Sequence, residues 1–184
     1  MKERTKRLFI AVEMPKLVEN ELERIQKILK KQDLFRGRYV NPEHAHITLK
    51  FVGDVDESDV VKVQEKLRSI EQEPMQASLG KLDLFKSGKK PRVIFVNIDC
   101  SGLAELARKI DDVLGDLFPP EGRPFVSHLT IVRIKKIDDY DILDDVLDSF
   151  TVNQLSFTID SFVLKESVLS SDGPVYSNIE TYKL

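Results

Sequence analysis

One cysteine, Cys100, stands in 184 residues. It excludes an intramolecular disulfide framework and suits a reducing compartment, so packing must hold the fold. No apolar run approaches the ~20 residues that a membrane helix needs. The opening Met1-Lys-Glu-Arg-Thr-Lys-Arg7 leads into a strand pattern, not into the apolar region and cleavage site of a signal peptide. A cytoplasmic protein without membrane contact is expected. Excess positive charge is missing too: 28 Lys and Arg against 31 Asp and Glu leave a net charge of −3. That argues against a broad basic surface gripping duplex nucleic acid by its phosphates. Any nucleic-acid site must be local, at an end or a single nucleotide. With only 8 Gly and 8 Pro, beside 41% hydrophobic and 32% charged residues, the composition is that of a folded soluble protein. Plentiful Lys and Glu with few Asn, Gln and Cys match the bias of heat-adapted proteins.

Histidine is scarce, at three residues, and two of the three head the same short pattern. His46-Ile-Thr-Leu-Lys-Phe-Val-Gly53 is echoed by His128-Leu-Thr-Ile-Val-Arg-Ile-Lys135. In an extended strand successive side chains alternate between faces. His46, Thr48 and Lys50 are therefore expected on one face, with Ile47, Leu49 and Phe51 on the other. His128 and Thr130 likewise share a face opposite Leu129 and Ile131. The histidines are too distant in the chain for one local site, but suitably placed for equivalent strands of a duplicated fold.

The remaining pattern supports that arrangement. Arg7 to Pro15 reads as a buried strand ended by proline. Leu17, Val18, Leu22, Ile25, Ile28 and Leu29 then recur at helical spacing up to about Lys31. Arg36 to His44 reads as a polar segment, Gly53 as the stop of the first motif strand, and Glu57 to Ile70 as a second helix. Met75 to Phe85 and Arg92 to Asp99 form a hairpin across the basic turn Lys86-Ser-Gly-Lys-Lys-Pro-Arg92. A helix over Leu103 to Leu117, the second motif strand, a short helix near Asp139 to Leu147, a strand over Thr151 to Leu164, a loop from Ser167 to Pro174 and a strand to Leu184 complete the order. The expectation is one α+β unit over residues 1–184, bilobal, with two pseudo-symmetric antiparallel sheet-plus-helix lobes across a V-shaped cleft.

Breaking a phosphodiester needs a base for the attacking group and an acid for the leaving oxygen, on opposite sides of an in-line phosphorus. Two imidazoles from opposed strands meet that geometry, and ordinary values near ~6.5 let them hold different protonation states near neutrality. A threonine two residues later projects its hydroxyl from the same face, within reach of a phosphate oxygen. No metal is needed. The residues alone leave the two histidines equivalent.

These motifs, with the opening RLFIAVEMP and the closing FVLKESVLSSDGPVYSNIETYKL, resemble the 2H phosphoesterase superfamily, and within it the bacterial and archaeal RNA 2′,3′-cyclic phosphodiesterases, historically called 2′-5′ RNA ligases. The resemblance covers essentially the whole chain. It implies the bilobal fold, no cofactor, and opening of a terminal 2′,3′-cyclic phosphate to a 2′-phosphate. On matching positions it makes His46 the proton donor to the leaving 3′ oxygen and His128 the proton acceptor from water. It gives Thr48, Thr130 and Arg133 the phosphate. Strict alternation puts Arg133 on the wrong face, so that role requires a bulge, a twist or a long reach. Ala45 replaces a usually larger apolar residue.

Base and ribose contacts are sought among Phe9, Tyr39, Arg92 and Tyr176, with Arg36 and Arg38 nearby. The partner expected is an RNA end or nucleotide carrying a cyclic phosphate, bound by a monomer with no obligate protein partner. His44 is read as a rim residue and Cys100 as inert. Competing readings are reversible 2′-5′ ligation or cleavage of 2′-5′ linkages in the same site, a nucleotide-binding module without turnover, and a zinc enzyme using His44, His46 and Cys100.

Overall fold

The computed structural model describes residues 5–170 and 173–184. Among them are nine strands and four helices in two antiparallel sheets. The strands are β1 (Thr5–Glu13), β2 (Phe35–Tyr39), β3 (His46–Asp56), β4 (Met75–Ser87), β5 (Lys90–Asp99), β6 (His128–Ile137), β7 (Ser156–Ile159), β8 (Ser161–Ser170) and β9 (Gly173–Lys183). The helices are α1 (Lys16–Gln32), α2 (Val60–Leu67), α3 (Gly102–Leu114) and α4 (Tyr140–Ser149). One sheet has the order β3-β1-β8-β9, the other β2-β6-β5-β4-β7. Apart from the added edge β2, the two orders correspond strand for strand, with β3 and β6 in equivalent places. These motif strands approach each other across the space between the sheets.

Each sheet is backed by two helices, and one pair is exchanged. α1 leaves the first sheet yet packs on the second: Val18, Leu22, Ile25 and Leu29 recur on one buried stripe. Gln26 Nε2 donates to the carbonyls of Val40 (2.6 Å) and Ile131 (3.4 Å). Buried Glu21, 4% exposed, accepts from the backbone N–H and side-chain amide of Asn153 and from Arg24. α3 connects two strands of the second sheet but lies on β3 of the first, with α2 beside it. Its Leu103, Leu106, Ala107, Ile110 and Leu114 face the core. Gln64 of α2 and Arg68 just beyond its end hold Glu180 of β9. Most of the buried apolar side chains form one continuous cluster through both sheets. No helix among the described residues is long and apolar enough to cross a membrane.

Four elements differ from the sequence expectation. The polar segment opens with β2, whose Arg36 and Arg38 lack the apolar alternation of a central strand because it lies at an edge. Gly53 does not end β3; at φ 90° it takes up an irregular step opposite Leu8, and pairing continues to Asp56. The strand expected over Thr151 to Leu164 is two strands, β7 in the second sheet and β8 in the first, separated at Asp160. The loop from Ser167 to Pro174 is mostly paired, Ser167 with Tyr176 through Ser170 with Gly173, and residues 171–172 lie outside the described ones.

Candidate active site

Both motif histidines are fastened in the same way. The Nδ1 of His46 lies 2.8 Å from the His44 carbonyl, and the Nδ1 of His128 lies 2.8 Å from the Val126 carbonyl. A carbonyl only accepts, so each Nδ1 carries the proton and Nε2 holds the lone pair of the neutral ring. Aromatic rings then pack against each imidazole, edge-on except for the tilted Phe9. His46 packs on Phe9 at 5.0 Å and on Tyr176 at 5.4 Å, and His128 on Phe85 at 4.8 Å and on Phe95 at 5.3 Å. Phe85 and Phe95 themselves stack at 4.1 Å.

One inserted residue in each motif strand decides what else reaches the cleft. On β6, Phe95 pairs with Thr130 but Ile94 pairs with Val132, leaving Ile131 unmatched. Ile131 and Val132 therefore both turn inward, and Arg133 returns to the face of His128 and Thr130. The requirement that strict alternation set against Arg133 is thus met by a bulge. On β3 the same insertion falls at Leu49, between the pairs Ala11 with Thr48 and Ile10 with Lys50. This reverses the expected faces of the next two residues. Lys50 turns inward and is 1% exposed, whereas Phe51 joins the His46 face and is 57% exposed.

The inward lysine is not stranded. Its ammonium binds the Asp111 carboxylate on α3 and donates to the Pro119 carbonyl at 3.1 Å. The next residue's backbone N–H donates to Glu121 at 3.2 Å. β3 thereby holds the segment that runs on to Val126 and His128.

A second polar group beside His46 was not legible as a motif. Glu13 pairs with His46 across β1 and β3, and it accepts from Lys165 and from Asn178 at 3.2 Å. Lys165, 7% exposed, also donates to Asn178 Oδ1 at 2.6 Å. Burial pushes the Glu13 carboxyl up, but these bonds outweigh it and leave it below its ordinary value.

Burial dominates both histidines. It pushes His46 down to about 4, with the charges of Lys165, Arg133 and His128 adding to the effect and the bond to His44 opposing it. His128 is lowered as well, first by burial and then by Arg133 and Arg123, against its bond to Val126. At neutral pH both rings are neutral, each with its Nε2 lone pair available.

The sequence candidates separate clearly. His46, Thr48, His128, Thr130 and Arg133 share the faces that meet across the cleft. Phe9 is buried under His46, 3% exposed, while Tyr176 is half-buried beside it. Tyr39 does not join them: it pairs with inward Val132 and lies under Lys30 of α1 at 4.6 Å, on the covered face of the sheet. Arg92 sits at the hairpin end of β5, beside the Val93 that pairs with Arg133. Arg38, paired with Arg133, reaches across to Gly173 at the start of β9. Arg36 lies further out on β2, opposite Lys136. His44 packs on Tyr176 at 6.0 Å, and among the described residues no three His, Cys, Asp or Glu side chains gather as a metal site would require.

Two antiparallel sheets of matching order, each presenting a His-x-Thr strand to a shared cleft, define a phosphoesterase of the 2H type. The chain belongs to that family: the description "LigT like Phosphoesterase" matches residues 12–95 and 99–176. A protein of Methanocaldococcus jannaschii named RNA 2′,3′-cyclic phosphodiesterase is 30% identical over 96% of this chain and 99% of its own length. The crystal structure of TT0787 of Thermus thermophilus superposes with a TM-score of 0.78 at 25% identity, covering 97% of each chain. Apo LigT of E. coli shares the fold with a TM-score of 0.78 over 100% of this chain and 99% of its own.

Proposed function

We propose that the protein opens RNA ends bearing a 2′,3′-cyclic phosphate to 2′-phosphate ends without a metal. The matched pair of Nδ1–H bonds to backbone carbonyls carries this reading, because it presents two oriented Nε2 atoms from opposed sheets. Water attacks phosphorus as His128 Nε2 takes its proton; the bond from phosphorus to the 3′ oxygen breaks as protonated His46 gives its proton to that oxygen. The hydroxyls of Thr48 and Thr130 and the guanidinium of Arg133 hold the non-bridging oxygens, where charge is carried through the transition state. Exposed Phe51 and half-buried Tyr176 offer the terminal base an aromatic surface. The curated relatives named RNA 2′,3′-cyclic phosphodiesterase support the substrate.

The low proton affinity of His46 fits this role once substrate is present. An anionic phosphate offsets Arg133 and Lys165 and stabilises imidazolium. The basic limb of the kcat profile is therefore expected at higher pH than that of kcat/KM, which reports the free enzyme. Coincident limbs would remove His46 as the acid.

The direct test is a short RNA with a 2′,3′-cyclic phosphate end, incubated in EDTA with 2′- and 3′-phosphate products resolved. Conversion to the 2′-phosphate is expected, with kcat reduced ~10²–10⁴-fold in His46→Ala and in His128→Ala. Full activity of either variant, or a 3′-phosphate product, would refute the assignment.

A further inference from the structure

Beside His128, β4 parts from β5. Leu79 pairs with Ile98 and Leu82 with Val96, so Gly80 and Lys81 stand opposite Asn97 alone. On its other side Asn97 pairs with His128. The parting opens a groove of about 600 Å³ whose lining includes Lys81, Asn97, Asp99, Phe125, Val126 and Ser127. That volume lies within the ~300–1,000 Å³ typical of small-ligand sites. Val126, whose carbonyl holds the His128 ring, belongs to its wall, so the groove begins where the imidazole is fastened.

Its construction is specific. A Cβ on Gly80 would stand 3.1 Å from the Asn97 Cβ and 3.2 Å from an Asp99 carboxylate oxygen, so the glycine leaves room for that carboxylate beside the bulge. The Asn97 amide is only loosely occupied, 3.5 Å from the Lys81 carbonyl. An aromatic ring, a carboxylate and an amide suit the flat base and hydroxylated sugar of a nucleoside, and the Lys81 ammonium at the edge suits its phosphate.

We propose that this groove seats a second ribonucleoside, the neighbour of the nucleotide whose phosphate lies between the histidines. The proposal rests on the function given above. It makes the preferred substrate an oligonucleotide end, with a cyclic mononucleotide filling only half of the site.

The test compares kcat/KM for 2′,3′-cyclic AMP and for a diadenosine bearing a 2′,3′-cyclic phosphate. The intact protein is expected to favour the dinucleotide at least ~10-fold, as stacking of one base on an aromatic ring would give. Phe125→Leu, which keeps apolar bulk without the ring, and Asp99→Asn should each collapse the ratio of the two toward one. A ratio near one in the intact protein, or an unchanged ratio in both variants, overturns the groove while leaving the function standing. Turnover of neither substrate overturns the function and the groove with it.

Discussion

At the scale of residues, the site is set by two insertions, Leu49 and Ile131, each three positions after its histidine. Period-two reading holds up to the threonine of each motif and then fails by one residue. That is why His46, Thr48, His128 and Thr130 were legible, while Phe51 was hidden and Lys50 was placed on the wrong face. A bulge is a backbone event with no side-chain signature here; only the burial of Leu49 and Lys50 together reveals it. The inward lysine has a measurable consequence. Asp111→Ala leaves the Lys50 ammonium buried with only the Pro119 carbonyl, and about 3 kcal/mol of stability should be lost in urea unfolding. The double variant Lys50→Met/Asp111→Leu should recover most of it; failure to recover would mean that the pair does more than neutralise itself.

His46 yields a second prediction. Its folded value of about 4 lies below the ordinary 6.5, so between those values the unfolded chain binds a proton that the folded chain refuses. Stability therefore rises with pH across that window and falls as acid is added through it. The lowered His128 acts in the same direction. Tm should drop between pH 6.5 and pH 4, and His46→Asn should drop less steeply. Parallel curves would show that His46 does not contribute.

At the scale of elements, the helices were legible because each keeps one apolar stripe, as Val18, Leu22, Ile25 and Leu29 do on α1. Strands at edges and crossings were harder. β2 carries Arg36, Gly37 and Arg38 in a row, and its pairing depends on contact with β6, not on its own hydrophobicity. Gly37 marks that contact: a Cβ there would stand 2.7 Å from the Arg133 carbonyl oxygen. Gly37→Ala should push β2 outward, disturb the strand segment that carries Arg133, and raise KM for the cyclic phosphate more than it lowers kcat. A uniform fall in both, with normal unfolding, would argue against that path. β7 and β8 read as one strand because apolar residues resume at Phe162 only three positions after Ile159, although the chain changes sheets at Asp160.

At the scale of the whole molecule, the duplication is present but permuted. The order β6-β5-β4-β7 is assembled from residues surrounding the second motif, whereas the matching β3-β1-β8-β9 takes its outer two strands from residues 161–184. No alignment of one half of the sequence on the other can show that, since the correspondence is spatial. The exchange of α1 and α3 binds the lobes together: each sheet is covered by a helix delivered from the other side of its motif. A chain ending at residue 160 should therefore lack cooperative unfolding by calorimetry, despite retaining both histidines. A sharp two-state transition in that fragment would show that the second sheet stands alone.

The permutation also sets a timetable. A ribosome releases β1 and β3 early, but a two-stranded ribbon is marginal by itself, and the β8–β9 hairpin that carries Lys165 and Tyr176 emerges only at the end of the described chain. The His46 half of the cleft is thus the last to be completed, although its histidine is made first. A chain that stops short of β8 and β9 therefore carries both histidines while lacking the Lys165 and Tyr176 that flank His46.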